Sequence, residues 1–537
     1  MNCFNNPNSN LKEALVFKKP AKQFSLGLFN PVLMYSFCLK VCCAWLMALS
    51  LPVVSCLAQG APAAVVPGDF ADPSVIRADG QYYAIATSSE WAPHYPIYRS
   101  SNLTDWTPQG YLFDVKPEWT TGSFWAPEYF VHQRTYYVYY TARRKSDNVS
   151  CIGVATSPYP DHGFVDRGIV VDFGKEAIDA FIYNDNGQLY ITFKAYGLDQ
   201  RPIELLGSKL SADGLKMEGE VFSLLRDDER IGMEGQSLLK HGDFFYLFYS
   251  AGACCGQACS YHVRVARSYS LQGPYEKYDG APLLADQPDW KCPGHGTFVQ
   301  ADNGSLYYLY HAYNRRSHVF TGREGMLAQL SWNTNGWPAL APVDKHLPLQ
   351  NIVDDFSGQS VAPRWQYDFR HAKTSITQRK GKLRLTGITT PGNNTGVVAT
   401  VRPQSGAFEL EATVTNQNDA LKGLVFYGDA GAAIGIGVRG HAVEFWQVKD
   451  NVRTVVDSTT LKATGAKNIR LKYVVLGNGL CQAYYALSGK EWKALAAGVP
   501  VPVAFLPQWD RSPRAGLHFQ GTVHQWARFD DFVMRHR

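Results

Sequence analysis

Five stretches of the chain repeat one pattern, a turn residue followed by an aromatic-rich strand that ends in small or polar side chains. They are DGQYYAIATS, QRTYYVYYTA, NGQLYITFKA, HGDFFYLFYS and NGSLYYLYHA. Aligned on Tyr83, Tyr137, Tyr190, Phe245 and Tyr307, the copies lie 54, 53, 55 and 62 residues apart. A period of about fifty residues made of strands and turns is the mark of radial repetition, with four strands to each unit. A generic β-sandwich would also give short strands with turn signals, but not a fixed period. The predicted fold class is therefore all-β, with a five-bladed β-propeller over residues 61–350 and a β-sandwich over residues 351–537.

The acidic residues fall on the same ruler. Counted back from the turn glycines Gly80, Gly187 and Gly242, the eighth residue is Asp72, Asp179 and Glu234 in the first, third and fourth units. In the second unit Ala126 holds that place before Arg134, and in the fifth it is Gly296, with His295 beside it. Asp72 precedes a proline, a setting that by itself reads as turn chemistry. Equivalent positions of superposable units face one axis, however, so three carboxylates and a histidine are predicted to meet in a central cavity. Like charges gathered in a cleft raise one another's pKa, a cost that points to use. Glycoside hydrolysis needs one protonated carboxyl at the leaving oxygen and one ionised carboxylate opposite, and a third can hold the acid protonated. The same oxygens would suit calcium, although calcium sites usually draw their ligands from one loop and these acids span three units.

The segments FADPSVI, FWAPEYF, AIDAFIY, GMEGQSLL and GPYE, in this order, resemble the signature segments of glycoside hydrolase family 43. The resemblance runs from Pro67 to Leu349 and implies a propeller that hydrolyses α-L-arabinofuranosides or β-D-xylosides with inversion. It implies Asp72 as general base, Glu234 as general acid held protonated near neutrality, and Asp179 as the group that tunes and orients that acid. Arg323 in TGREGML resembles an arginine that reaches sugar hydroxyls and a catalytic carboxylate; the plain alternative is a surface arginine. His295 in PGHGTF resembles a central histidine near a calcium ion or water cluster below the substrate, so structural Ca2+ is the one cofactor expected. Its plain alternative is a core histidine bonded to a carbonyl. Phe70, Trp91 and Trp125 are the candidate sugar platforms, because a flat apolar ring suits the C–H face of a sugar, and each could equally pack in the core.

After residue 350 the period is lost. GAFELEATV and NIRLKYV alternate apolar and polar side chains, as half-buried strands of a two-sheet sandwich do. The bracketing DDFSG and FDDFVM resemble the concanavalin-like domain attached to xylosidase-type members of the family. A pocket-closing wall, a carbohydrate-binding module and an inert stabiliser all remain open for it.

Residues 1–60 read as an export segment, with a lysine-led apolar stretch followed by small residues, and VVSC ending at Cys56 resembles an imperfect lipoprotein box. The formal charge of +5 resides mostly in five lysines set against Glu13 before Trp45, which leaves no basic stripe for nucleic acid. Beyond that segment Cys151, Cys254, Cys255, Cys259, Cys292 and Cys481 form an even set that suits disulfides in an exported protein, with zinc at CCGQACSYH and CPGH as the weaker reading. The expected protein is thus an exported exo-glycosidase acting on plant hemicellulose or pectin side chains, with no protein partner implied. An endo-1,5-α-L-arabinanase differs by an open groove where the loops SSEWAPHYP and GACCGQACSY are expected to build walls. A non-catalytic sugar-binding propeller would have no need of the three acids, and ADPSV disfavours a sucrose-type hydrolase.

Overall fold

The computed structural model of the protein describes residues 62–196, 202–317, 320–345, 347–461, 467–487, 491–507 and 510–537. The predicted export segment and Cys56 lie outside them.

Among the described residues, five antiparallel sheets follow one another along the first part of the chain. Their first strands are Ser74–Ala78, Thr120–His132, Glu176–Asp185, Met233–His241 and Trp290–Gln300. Each pairs with an aromatic-rich second strand: Gln81–Ile85, Thr135–Arg144, Gln188–Tyr196, Phe244–Ala251 or Leu306–Asn314. The five repeat aromatics therefore occupy the same strand of each sheet. Val66–Asp69, at the start of this region, pairs with Arg323–Trp332 of the fifth sheet, so the two ends of the region share one sheet. First strands of four sheets line a common cavity of about 620 Å³ through Val75, Tyr129, Ile182 and Phe298. The arrangement is propeller-like.

Strand periodicity decides what packs where. In LYITFKAY, Leu189, Ile191, Phe193 and Ala195 point to one face and join Tyr139 and Ile152 of the preceding sheet in one apolar cluster. Lys194 belongs to the opposite set, an alternation that matters at the site below.

The C-terminal region is a two-sheet sandwich. One sheet contains Phe408–Thr415, Asn468–Leu476 and Ala527–His536; the other contains Leu421–Asp429, Ala432–Arg439, Ala442–Lys449 and Arg514–Gln520. Phe408, Leu410, Ala412 and Val414 alternate into its core beside Ile469, Leu471 and Tyr473. The outward Glu409 and Glu411 are instead paired with Lys472 and Arg535. Ile352–Asp354 pairs with Ala527–His536, which brings the DDFSG and FDDFVM segments together at one edge.

The two regions form one compact unit, Gln59–Arg537. Trp91 and Ala92 of the first repeat pair with Tyr367 and Asp368. Trp91, only 1% exposed, lies among Val398, Leu421, Tyr427 and Trp446 of the sandwich, with the Arg514 guanidinium 4.6 Å from its ring centre. Arg514 reaches back to Asp69 at 3.3 Å. Trp91 is thus core packing at the seam and not a sugar platform, because no face of its ring is open. Phe70 is likewise fully buried, edge-on to Tyr98 with ring centres 5.1 Å apart. Trp91→Ala is expected to cost about 3–5 kcal/mol, the range for truncating a large buried aromatic. A denaturant titration that found it neutral would mean that the sandwich does not rest on this side chain.

Candidate active site

The predicted axis residues are set apart by their backbone. Pairing of first and second strands is interrupted between Trp125 and Glu128, Ile178 and Phe181, Glu234 and Ser237, and Gly294 and Thr297. Ala126, Asp179, Gly235 and His295 at these breaks have φ of 39°, 59°, 57° and 43°, and Asp72, just ahead of the first sheet, has 51°. Bulges of this kind re-aim side chains, and a left-handed non-glycine residue costs about 1–3 kcal/mol unless its surroundings hold it.

Those surroundings are supplied by the preceding sheet. The N–H of Ala126 donates to Thr87 Oγ1 at 2.8 Å, that of Asp179 to Thr141 Oγ1 at 3.1 Å and that of His295 to Ser250 Oγ at 2.8 Å. The N–H of Asp72 donates to His311 Nδ1 at 3.0 Å, which closes the series from the fifth sheet to the first. Since Nδ1 accepts, the His311 proton belongs on Nε2, and burial followed by the charge of Arg323 holds this ring neutral. Thr87, Thr141 and His311 lie four residues after Tyr83, Tyr137 and Tyr307. Sequence reasoning missed all of them, although the repeat ruler that located the acids also passes through these positions.

Asp72, Asp179, Glu234, His295 and Arg323 are brought together. Arg323 Nη1 donates to Asp72 Oδ1 at 2.8 Å and Thr87 Oγ1 to Asp72 Oδ2 at 2.7 Å, while His295 Nδ1 is 3.5 Å from Oδ1. Burial works to raise the Asp72 pKa, but Arg323 foremost, with His295, holds it well below the usual carboxylate range. Asp179 Oδ2 accepts the Gly235 N–H at 3.2 Å and lies 3.9 Å from His295 Nδ1. Burial, opposed by His295 and reinforced by Glu234, pushes Asp179 up to about 6.

Glu234 departs from expectation. Its Oε2 accepts from Lys194 Nζ at 2.5 Å and its Oε1 from the Tyr261 hydroxyl at 3.1 Å. Burial favours the protonated form, but the adjacent ammonium outweighs it and lowers the pKa. Of the two, Asp179 is therefore the group that holds a proton to higher pH, and Lys194 is the reason that Glu234 does not.

Trp125 alone of the three proposed platforms is only half-buried. Its Nε1 donates to Asp510 Oδ2 at 3.0 Å, and the Arg143 guanidinium lies 5.5 Å from its ring centre. Asp510 comes from the sandwich, and its carbonyl also accepts from Arg323 Nη2 at 3.2 Å and from the Ser89 hydroxyl at 3.2 Å. The SSEWAPHYP loop and a sandwich segment thus meet at the rim of the carboxylate cluster. Disulfides join Cys254 to Cys255 and Cys259 to Cys292, and Cys254 and Cys259 pack against Tyr261, Tyr313 and Phe320. These four thiols are consumed as disulfides, so the zinc reading of the CCGQACSYH segment does not hold. Cys151 and Cys481, the other two of the even set, are buried free thiols.

His295 presents one ring nitrogen to two carboxylates that already have other donors. Calcium takes roughly six to eight oxygens, and among the described residues no group of three or more His, Cys, Asp or Glu side chains is arranged to hold a metal. A calcium ion beside His295 would have to draw most of its oxygens from water. The 620 Å³ cavity, at the other end of the first strands, includes none of the three acids. The carboxyl on its wall, Glu128, receives the Ser74 hydroxyl at 2.6 Å and is pushed by burial up to about 8, so it is protonated and structural.

Three carboxyl groups that differ in ionisation are the kind of set that glycoside hydrolysis calls for. Residues 62–338 match the model of Glycosyl hydrolases family 43, and residues 353–522 match the Beta xylosidase C-terminal Concanavalin A-like domain. The chain belongs to glycoside hydrolase family 43. It is 29% identical over 330 residues to an extracellular exo-alpha-(1->5)-L-arabinofuranosidase, ArbA, of Cellvibrio japonicus, covering 55% of this chain and 91% of that one. It is 28% identical over 312 residues to arabinan endo-1,5-alpha-L-arabinosidase A of Aspergillus niger, covering 50% and 90%. The crystal structure of a xylan beta-1,4-xylosidase from Bacillus halodurans superposes with a TM-score of 0.75 at 21% identity, over 88% of this chain and 99% of that one, and so shares the two-domain fold.

Removing the guanidinium from Asp72 tests the electrostatics. In Arg323→Met the Asp72 carboxylate is left buried without its cation, so the acidic limb of kcat/KM is expected to move to higher pH and stability to fall by about 3–5 kcal/mol. The sign follows from the depressed pKa: the pairing stabilises the fold above the reference carboxyl value of 3.8 and is lost as pH falls below it. An acidic limb unchanged in the variant would mean that Asp72 does not set that limb through Arg323.

Proposed function

We propose that this glycosidase is an exo-acting, inverting enzyme that removes terminal α-L-arabinofuranosyl units from the side chains of plant cell-wall polysaccharide, on a closed five-bladed propeller and outside the cytoplasm. The observation that carries the exo reading is Asp510. It places a sandwich segment over Arg323 and Trp125 at the rim, where an endo-acting enzyme needs an open groove for chain on both sides of the bond. The name of the Cellvibrio relative, which aligns over nine-tenths of its own length, supports the sugar. The two disulfides support an oxidising compartment.

In this reading, Glu234 in its protonated form delivers a proton to the glycosidic oxygen as the C1–O bond breaks. Asp72, already ionised, takes a proton from a water that bonds to C1 from the opposite face. Asp179 keeps a proton next to the acid, Arg323 holds Asp72 in place, and Trp125 offers its face to the sugar. The released sugar carries the inverted configuration, and the two carboxyl groups then exchange their protons with solvent.

A second reading, release of β-D-xylosyl units, is favoured by the C-terminal domain, whose matching model is named for β-xylosidases. Wild type and Glu234→Ala, assayed on aryl α-L-arabinofuranoside, aryl β-D-xyloside and linear arabinan, separate these readings. The expected result is cleavage of the arabinofuranoside and stepwise release of arabinose from arabinan, with Glu234→Ala reduced about 10²–10⁴-fold, the usual contribution of a general acid. Oligosaccharides as first products would overturn the exo reading, and cleavage of the xyloside alone would replace the sugar. Proton NMR of the first-formed anomer decides inversion.

A further inference from the structure

The relay that holds the axis residues has one irregular member. Four residues after the aligned aromatic, the first, second and fifth repeats carry Thr87, Thr141 and His311, each of which accepts an N–H from the next sheet. Ser250, one place further along, does so in the fourth. The third repeat carries Lys194, which lies four residues after Tyr190 and has no side-chain atom that can accept. Its Nζ crosses to the fourth sheet like the others but meets the carboxyl oxygen of Glu234 at 2.5 Å, with the lysine side chain only 11% exposed.

We propose that Lys194 is a positioning residue for Glu234 that, with Tyr261, clamps both of its carboxyl oxygens and thereby confines leaving-group protonation to acidic solution. The proposal rests on the assignment of Glu234 as the acid. With an ammonium on Oε2 and a hydroxyl on Oε1, the carboxyl group meets two donors, an arrangement suited to the carboxylate. Placing a proton on it gives up one of those bonds. Burial favours the neutral acid and opposes the ammonium, yet the attraction of Glu234 and then Asp179 keeps Lys194 charged. The charged or titratable groups that face the pair are Asp179 on the first strand of its own sheet, Tyr196 on its own strand, Asp227 after the fourth strand, and Tyr261, His295 and Asp72 from the neighbouring sheets.

The pH dependence of kcat/KM on 4-nitrophenyl α-L-arabinofuranoside tests this in Lys194→Met and Lys194→Gln, with two substitutions made so that one unfolded variant does not end the experiment. Loss of the cation is expected to move the alkaline limb upward by a pH unit or more, with kcat at the acid plateau about tenfold lower. Lys194→Cys alkylated with 2-bromoethylamine, which restores the ammonium, is expected to return the limb to its wild-type place. An alkaline limb unmoved in both variants would overturn the proposal and leave Lys194 a structural cation. The acid assignment is checked separately with Glu234→Gln on 4-nitrophenyl and 2,4-dinitrophenyl arabinofuranosides. A loss at least tenfold greater on the poorer leaving group supports it, and equal losses on both remove the assignment and the proposal with it.

Discussion

The site depends on a backbone conformation that its own residues do not favour. Asp72, Ala126, Asp179 and His295 are left-handed without being glycine, and each is held there by one hydrogen bond from its N–H to a side chain of the preceding sheet. The same bond does two things at once. It satisfies a buried N–H that the strand ladder leaves unpaired, and it fixes the distance between neighbouring sheets where the clustered acidic side chains emerge. The geometry of the acidic cluster and the packing between sheets are therefore one set of contacts.

Within that frame, three carboxyl groups a few ångströms from a common histidine or lysine have different ionisation because each has a different nearest donor. Asp72 has a guanidinium and a hydroxyl, Asp179 has a backbone N–H, and Glu234 has an ammonium and a phenol. Burial raises the pKa of all three, so the difference among them belongs to the partners.

The sandwich takes part in the site through the same seam that stabilises it. Trp91 anchors the first repeat in the sandwich, and Asp510 returns the contact at the rim by accepting from Trp125 and Arg323. Between the two lie Glu90, bonded to Arg370, and Arg511, paired with Asp429, so the seam is apolar at its centre and ionic towards the site. A boundary read from composition alone gives no sign that the second domain reaches the first domain's chemistry.

The period of the repeat and the place of Asp72, Asp179, Glu234 and His295 on it were legible in the sequence, because strand alternation and repeat spacing are local rules that any single copy displays. Arg323 was legible only by resemblance. The sandwich was legible from alternation in FELEATV and IRLKY, although Glu409 and Glu411 proved ion-paired rather than simply solvated. Phe70 and Trp91 were misread as platforms because an aromatic ring near an acid looks the same in sequence whether its face is open or covered, and what covers Trp91 lies some three hundred residues later. The protonation state of Glu234 was misread for the same reason. Lys194 and Glu234 are 40 residues apart, and Asp72 is 251 from Arg323. The sequence by itself determined which side chains face the axis; only the tertiary structure decided which of them carry charge, since ionisation is set by the nearest donor within about 4 Å and by burial, and neither is a property of a residue's neighbours along the chain.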